Sequence, residues 1–371
     1  MRVLILTASY GSGHNEAARS LAAGFVARGA AVTVVDHFRE LVHPWFERAS
    51  RRLYMALLRH TPAVWGAAYA LGDRLSSDSP LALGATRVGV QRLAALLDAL
   101  APDVVVSVHA TPAAALSALA VEGRRLPPHT TVVTDFVAHS QWIARGIDRY
   151  CVAADEVGHE LIARGIPRER VVVTGVPLRP EFAVPVDAGE ARRALQVPAT
   201  TGIVLVMAGS HGTVGRLPDV VRTLGRLPGP VRGVVIAGHD AALADRLRRV
   251  AAGSPTRILG YTDNVRLLMA AADVLVTKAG GMTLAEAMAA ELPMVLYGSL
   301  PGQEQRNERF ASRAGVALAA RSRRDLGRLL ERALSEPRLL EHLRDGIRRV
   351  RRPDATQRIV DAVLAPNRLR P

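Results

Sequence analysis

Twelve short β-branched runs, each separated from the next by a stretch long enough for a helix, constrain this chain more than any other feature. The first six are residues 3–7, 32–35, 104–108, 131–134, 149–152 and 171–174. A second six follow at 203–207, 233–237, 257–259, 274–277, 294–297 and 316–319. Runs apolar throughout belong to strands buried on both faces, and parallel strands need crossovers of helix length. The pattern therefore predicts parallel sheets covered on both sides by helices. Between the two series stands Pro177-Leu-Arg-Pro180-Glu-Phe-Ala-Val-Pro185. Its prolines lack the donor that a central strand needs and cannot continue a helix, which sets a boundary near residue 185. At 371 residues the chain also exceeds what one core usually holds. The expected organisation is two doubly wound α/β domains, 1–182 and 186–350, with a C-terminal helix at 351–371 free to pack back on the first. Open parallel sheets bind ligands beyond the carboxyl ends of their strands, so two facing sheets place their sites in the cleft between them.

Composition excludes several classes. With 49% apolar and 22% charged residues the chain is neither disordered nor fibrous. Cys151 is the single cysteine, which forbids an internal disulfide and a Cys-rich metal site and points to a reducing cytosol. The N-terminal MRVLILTASYGSGH turns polar too early for a signal peptide. The most apolar long stretch, 104–121, is interrupted by His109 and Pro112, so no transmembrane helix is expected. The net charge is +14, from 48 basic and 34 acidic residues, and every basic residue but Lys278 is Arg. So much Arg, alongside abundant Ala, accords with genomic base composition. Residues 313–371 hold fifteen basic against seven acidic residues. Such a surface attracts a nucleic acid, a nucleotide diphosphate or an anionic membrane leaflet, and charge alone does not choose among them.

Three segments carry chemistry. Thr7-Ala-Ser-Tyr-Gly11-Ser-Gly13-His14-Asn-Glu16 follows the first run and opens a helix through Ala17, Leu21 and Phe25. Gly11 and Gly13 permit a tight turn that brings amides to an anion at a helix N-terminus. With Asp36 ending the second run this is half of a dinucleotide fingerprint, but Glu16 stands where the third glycine belongs. His14 has the near-neutral pKa of a general base toward a hydroxyl; the alternative is a helix-capping or surface histidine. The second segment is Asp273-Val-Leu-Val-Thr277-Lys-Ala-Gly280-Gly281-Met-Thr283-Leu-Ala-Glu286. Gly280 and Gly281 bring amides to a diphosphate, and Thr283 either caps the helix or donates to a phosphate. Glu286 stands at the capping-box spacing from Thr283; its other possible task is to accept both hydroxyls of a ribose. The third segment, 38–69, gathers six of the fifteen aromatics (Phe38, Trp45, Phe46, Tyr54, Trp65 and Tyr69) among Arg48, Arg51, Arg52 and Arg59. That composition suits an interfacial helix among anionic headgroups or a core helix with a solvated Arg face. Base stacking is a third reading, but no nucleic-acid motif accompanies it, and no nucleic-acid partner is expected. Arg348-Arg-Val-Arg-Arg352 either adds membrane attraction or forms a solvated helix face.

Together with Val133-Thr-Asp135-Phe-Val-Ala-His139-Ser-Gln-Trp142, Thr174-Gly-Val-Pro177-Leu and Gly302-Gln-Glu304-x-x-Asn307, these segments resemble the monogalactosyldiacylglycerol synthase and processive diacylglycerol glucosyltransferase family. In its C-terminal half that family is similar to the peptidoglycan N-acetylglucosaminyl transferase. The resemblance implies a GT-B fold of two Rossmann-like domains. It also implies inverting, metal-independent transfer of a hexose from a UDP-sugar to diacylglycerol, the lipid on the N-terminal domain and the donor on the C-terminal one. The chain contains no Asp-x-Asp pair, and no cofactor is expected beyond the UDP-sugar itself. By the resemblance His14 is the base, Glu286 holds the ribose, Gly281 and Thr283 adjoin the phosphates, and Gln303 with Glu304 reads the sugar. Gly209 and Ser210 close over the diphosphate, Gly238 lies toward the uridine, and the Gly260-Tyr261 turn meets the uracil. Gly13, Trp45, Phe46, Arg51, Arg52, His109, Asp135 and His139 are expected on the acceptor and membrane side, Asp135 and His139 without a derived role. The implied location is cytoplasmic, peripheral on the inner face of the cell membrane, with an anionic surface as partner. Other readings keep the donor site but take a natural product or a polyprenyl-linked sugar as acceptor, or make the chain a non-catalytic sugar-nucleotide-binding protein or an epimerase of the same fold.

Overall fold

A computed structural model describes residues 1–9, 12–74, 89–207 and 216–365. Gly11, Gly209 and Ser210 lie outside the described residues. The chain divides into two units: Met1–Pro180 with Pro301–Gln303 and Asp354–Pro371, and Glu181–Leu300 with Glu304–Pro353.

In the first unit, β1 (Arg2–Thr7), β2 (Ala31–Asp36), β3 (Val104–Ser107), β4 (His129–Val132), β5 (Arg149–Val152) and β6 (Val171–Val173) form one parallel sheet in the order β2-β1-β3-β4-β5-β6. Val3 to Leu6 and Val104 to Val106 are buried, as strands covered on both faces must be. Leu4, Leu6 and Val105 share one core with Leu93, Leu97 and Leu116 from the helices Val90–Leu100 and Ala110–Val121. β4 starts two residues before the expected run because its polar start is satisfied internally. The buried His129 ring meets Ser107 Oγ at 2.9 Å through Nε2, and the His129 amide donates to Asp148 at 2.8 Å.

The C-terminal helix Ala355–Leu364 belongs to this unit and packs on the helix Ser12–Ala27. A Cβ at Gly24 would fall 2.8 Å from Thr356 Cγ2, so glycine sets the approach. Thr356 Oγ1 accepts from the Leu178 amide at 2.9 Å and donates to the Leu178 carbonyl at 2.7 Å.

In the second unit, β7 (Gly202–Met207), β8 (Val231–Ile236), β9 (Arg257–Leu259), β10 (Val274–Thr277), β11 (Met294–Tyr297) and β12 (Ala317–Ala320) form a second parallel sheet ordered β12-β11-β10-β7-β8-β9. Val204, Val206, Val274, Val276 and Val295 pack with Leu326 and Leu330 of the helix Arg323–Ser335.

Each strand order reverses once, and the reversal fixes where a ligand has room. Loops leaving the two strands at a reversal run to opposite sides of the sheet and open a crevice at the carboxyl ends. In the first unit this lies between β1 and β3, in register Leu6↔Ser107; in the second it lies between β7 and β10, in register Met207↔Thr277.

Candidate functional site

The first crevice carries His14. Thr7 at the end of β1 donates through Oγ1 to Asn15 Oδ1 at 2.8 Å, Asn15 Nδ2 donates to Ser9 Oγ at 3.0 Å, and Ser9 Oγ donates to Asp36. This chain of bonds fastens the first turn of the helix Ser12–Ala27, with Gly13 and His14 in it, to the ends of β1 and β2. Asp36 also caps the Arg39 amide at 3.0 Å. Its carboxylate is thus occupied locally, which removes the ribose contact of the dinucleotide reading.

His14 Nδ1 lies 2.8 Å from the Val108 carbonyl and 3.2 Å from Thr134 Oγ1. A carbonyl only accepts, so Nδ1 carries the hydrogen and Nε2 presents the lone pair. Burial lowers the His14 pKa below the ordinary imidazole value, against the opposing pull of the Asp135 charge and the Val108 carbonyl. The ring is therefore neutral at pH 7. His109 stands edge-on to it, ring centroids 4.7 Å apart, and the buried Trp142 lies 6.4 Å from His14. The structure thus brings His14, His109 and Asp135 together.

His139 is held in a separate set of hydrogen bonds. Its buried ring accepts the Gln141 amide at Nδ1 and meets the Tyr69 carbonyl through Nε2 at 3.0 Å. Beside it, Asp73 accepts from the Ser140 amide and from Arg164, each at 2.8 Å. Although partial burial disfavours its ionisation, Arg164, the Ser140 amide and His139 hold the Asp73 carboxyl at about 2. These bonds fasten the inner side of the helix Pro62–Arg74. Its other side exposes Val64, Ala67, Ala68 and Leu71, an apolar stripe at helical spacing. The preceding helix Pro44–His60 exposes Trp45 (67%), Phe46 and Leu53 (63%) beside Arg48 and Arg52, while Arg51 pairs with Glu47 at 2.8 Å. The exposed Trp45 ring excludes the core-helix reading for Trp45, while Phe46 stacks on Phe38 with centroids 6.1 Å apart. By contrast, much of the basic C-terminal run is consumed internally: Arg348 pairs with Glu291 at 2.8 Å and Glu341 at 2.7 Å, and Arg351 with Glu291 at 3.0 Å.

The second crevice holds the β10 loop. The helix Gly281–Ala289 has Gly280 as its N-cap, which puts Thr283 in the first turn and Glu286 (7% exposed) a turn further on. A capping box needs its hydroxyl residue at the N-cap itself, so Glu286 is not part of one. A Cβ at Gly280 would meet nothing within 4 Å, and the amides of the first turn have no partner within the helix. The loop is braced from the helix Gln303–Arg313: Asn307 Nδ2 donates to the Ala279 carbonyl at 3.1 Å. Glu304 accepts from Lys278 Nζ at one oxygen and from the Leu300 amide at 2.9 Å at the other. Glu304, expected to read sugar hydroxyls beside Gln303, is thus also the carboxylate that orients Lys278.

Lys278 is the residue that the motif reading missed. Its signal was the single ammonium in a chain of guanidiniums, set at the end of a strand. His239 was missed as well. Gly238, in the turn two residues past the end of β8, has φ 71°, and the following His239 ring stacks on exposed Tyr261 with centroids 4.1 Å apart and planes 15° apart. Gly260 lies beside Gly238, whose carbonyl would be 3.8 Å from an added Cβ. Among the described residues no cluster of His, Cys, Asp and Glu is placed to hold a metal ion, and no helix is long and apolar enough to cross a membrane.

Comparison with known proteins agrees with this division. Residues 14–178 match the family profile of monogalactosyldiacylglycerol (MGDG) synthase, and residues 203–340 that of the glycosyltransferase family 28 C-terminal domain. A processive diacylglycerol beta-glucosyltransferase of Bacillus cereus (strain AH187) is 31% identical over 373 residues, covering 100% of this chain and 95% of that protein. Among solved structures, Acinetobacter baumannii MurG superposes with a TM-score of 0.68 at 17% identity, covering 98% of each chain. Anabaena HepE in complex with UDP and glucose superposes with a TM-score of 0.57 at 14% identity, covering 99% of this chain and 100% of that one. The fold is that of the GT-B glycosyltransferases. The chain belongs to the monogalactosyldiacylglycerol synthase and processive diacylglycerol glucosyltransferase family.

Proposed function

We propose that this protein transfers a glucosyl group from UDP-glucose to the hydroxyl of diacylglycerol at an anionic membrane surface, with inversion and without a metal ion. The observation that carries the reading is the His14 imidazole, fixed through Nδ1 on the Val108 carbonyl so that Nε2 is a base. Support for the substrates comes from the beta-glucosyltransferase relative and from the UDP and glucose bound by HepE.

The acceptor hydroxyl gives its proton to His14 Nε2 as its oxygen attacks the anomeric carbon. The bond from that carbon to the diphosphate breaks, and the electron pair leaves on UDP. Attack from the face opposite the leaving group turns an α-linked donor into a β-linked product. Negative charge then grows on the diphosphate. The amides at Gly281, the Thr283 hydroxyl and the Lys278 ammonium supply fixed positive potential there, the task that a divalent cation performs in other enzymes. Glu286 accepts the ribose hydroxyls, Gln303 and Glu304 contact the sugar, and the Tyr261–His239 stack and the Gly260 backbone flank the uracil. Trp45, Phe46, Leu53, Val64 and Leu71 enter the acyl boundary while Arg48 and Arg52 meet anionic headgroups, and the protein is read as a peripheral enzyme on the cytoplasmic face of the cell membrane.

The test is His14→Ala, assayed for UDP binding by calorimetry and for transfer with a labelled donor. UDP affinity is expected to hold while transfer falls roughly 10²- to 10⁴-fold, the usual worth of a general base. Unchanged transfer would remove His14 from the mechanism.

A further inference from the structure

His14 is not the only imidazole at the first crevice. His109, which directly follows Val108, stands edge-on to it at 4.7 Å between centroids, with Trp142 6.5 Å away. Two backbone contacts fix the two tautomers in opposite senses. The Val108 carbonyl only accepts, so His14 carries its hydrogen on Nδ1 and its lone pair on Nε2. The Thr111 amide only donates, at 3.1 Å, so His109 carries its lone pair on Nδ1 and its hydrogen on Nε2. Among the described residues no hydrogen bond joins the two rings. The two contacts thus leave a lone pair on His14 Nε2 and an N–H on His109 Nε2, on half-buried residues whose ring centroids lie 4.7 Å apart. Burial, with His14 and His37 alongside, pushes His109 well below the ordinary imidazole range and keeps it a neutral donor.

Capping explains only half of His109. It is the N-cap of the helix Ala110–Val121 through Nδ1, a task that Asn, Asp or Ser performs as well or better. The second nitrogen adds a donor that capping does not use.

Resting on the transfer reaction above, we infer that His109 binds a second oxygen of the acceptor, donating its Nε2–H to the oxygen beside the attacking hydroxyl while His14 Nε2 takes the proton of that hydroxyl. In diacylglycerol that second oxygen is the neighbouring ester; in an already glycosylated lipid it is a neighbouring hydroxyl. A simple long-chain alcohol has none. His109 thus selects acceptors with oxygens on adjacent carbons.

Two variants separate binding from capping. His109→Asn keeps an acceptor where Nδ1 stands but does not reach the position of Nε2. His109→Gln reaches that position with an N–H and gives up the cap. Each is assayed for kcat/KM on dioleoylglycerol and on oleyl alcohol in the same vesicles, and for its thermal midpoint. The preference for dioleoylglycerol is expected to fall roughly tenfold in His109→Asn, the worth of one hydrogen bond, at an unchanged midpoint. In His109→Gln the preference is expected to persist while the midpoint drops. An unchanged preference in His109→Asn, or a preference lost in His109→Gln, overturns the inference and leaves His109 as a cap. If the unaltered protein glycosylates neither acceptor, the acceptor reading itself fails and this inference fails with it.

Discussion

Trp45 provides a quantitative test of membrane docking. Its side chain is 67% exposed at the start of the helix Pro44–His60. A fully exposed Trp offers roughly 250 Å², so about 170 Å² stands in water. If half of that enters the acyl boundary, burial at about 25 cal/mol per Å² contributes about 2 kcal/mol, roughly thirtyfold in partitioning. Trp45→Ala removes that contribution and leaves the helix intact, because Ala is the best helix former and the Trp45 amide stays capped by His43 Nδ1 at 3.1 Å. Flotation with vesicles of mixed zwitterionic and anionic lipid measures the lipid concentration for half-binding. That concentration is expected to rise roughly thirtyfold at an unchanged thermal midpoint. A change below about twofold would mean that the ring does not enter lipid, and the docking reading would fall.

Further outcomes follow from named contacts. The acidic limb of kcat/KM reports the base, and because His14 titrates below the ordinary imidazole value, that limb is expected below about pH 6.5. The charge on Asp135 raises the His14 pKa, so Asp135→Asn is expected to move the limb to still lower pH; a shift upward in a pH–rate profile would contradict the assignment. The same sign holds for stability: His14 charges less readily folded than unfolded, so its contribution is lost as pH falls through its unfolded value. Thr356→Val strips two hydrogen bonds from buried Leu178 and is expected to cost about 3 kcal/mol, lowering the melting midpoint by roughly 10 °C by calorimetry; a drop under about 2 °C would show that this tie is not needed. Lys278→Met is expected to weaken UDP binding roughly thirtyfold by titration calorimetry, as loss of a charge-assisted contact, and unchanged affinity would take Lys278 away from the diphosphate.

The sheets were legible in the chain because strands covered on both faces must be apolar, and β5, β9, β10 and β11 begin and end where the β-branched runs do. β4 was displaced because His129 looks like a loop residue until Ser107 of β3 and Asp148, just before β5, supply its partners. The glycine motifs marked both crevices correctly as helix starts. The spacing from Thr283 to Glu286 misled, since a capping box depends on which residue is the N-cap, and backbone geometry assigns that to Gly280. His139 had no readable role because its partners, Tyr69 and Asp73, arrive from a helix some seventy residues earlier in the chain. Lys278, and the tautomer of His109 although the residue itself was expected on the acceptor side, were hidden for a related reason. Each draws its meaning from a neighbour, Glu304 or His14, that only the folded sheets bring alongside.

Transfer of label from UDP-glucose into the lipid phase of diacylglycerol vesicles, with UDP-galactose and UDP-N-acetylglucosamine in parallel and with and without anionic lipid, tests the central claim most directly. The expected result is β-linked label in the lipid phase from UDP-glucose, faster on anionic vesicles and unaffected by a metal chelator. UDP-sugar binding with no lipid-phase label from any of the three donors would contradict it.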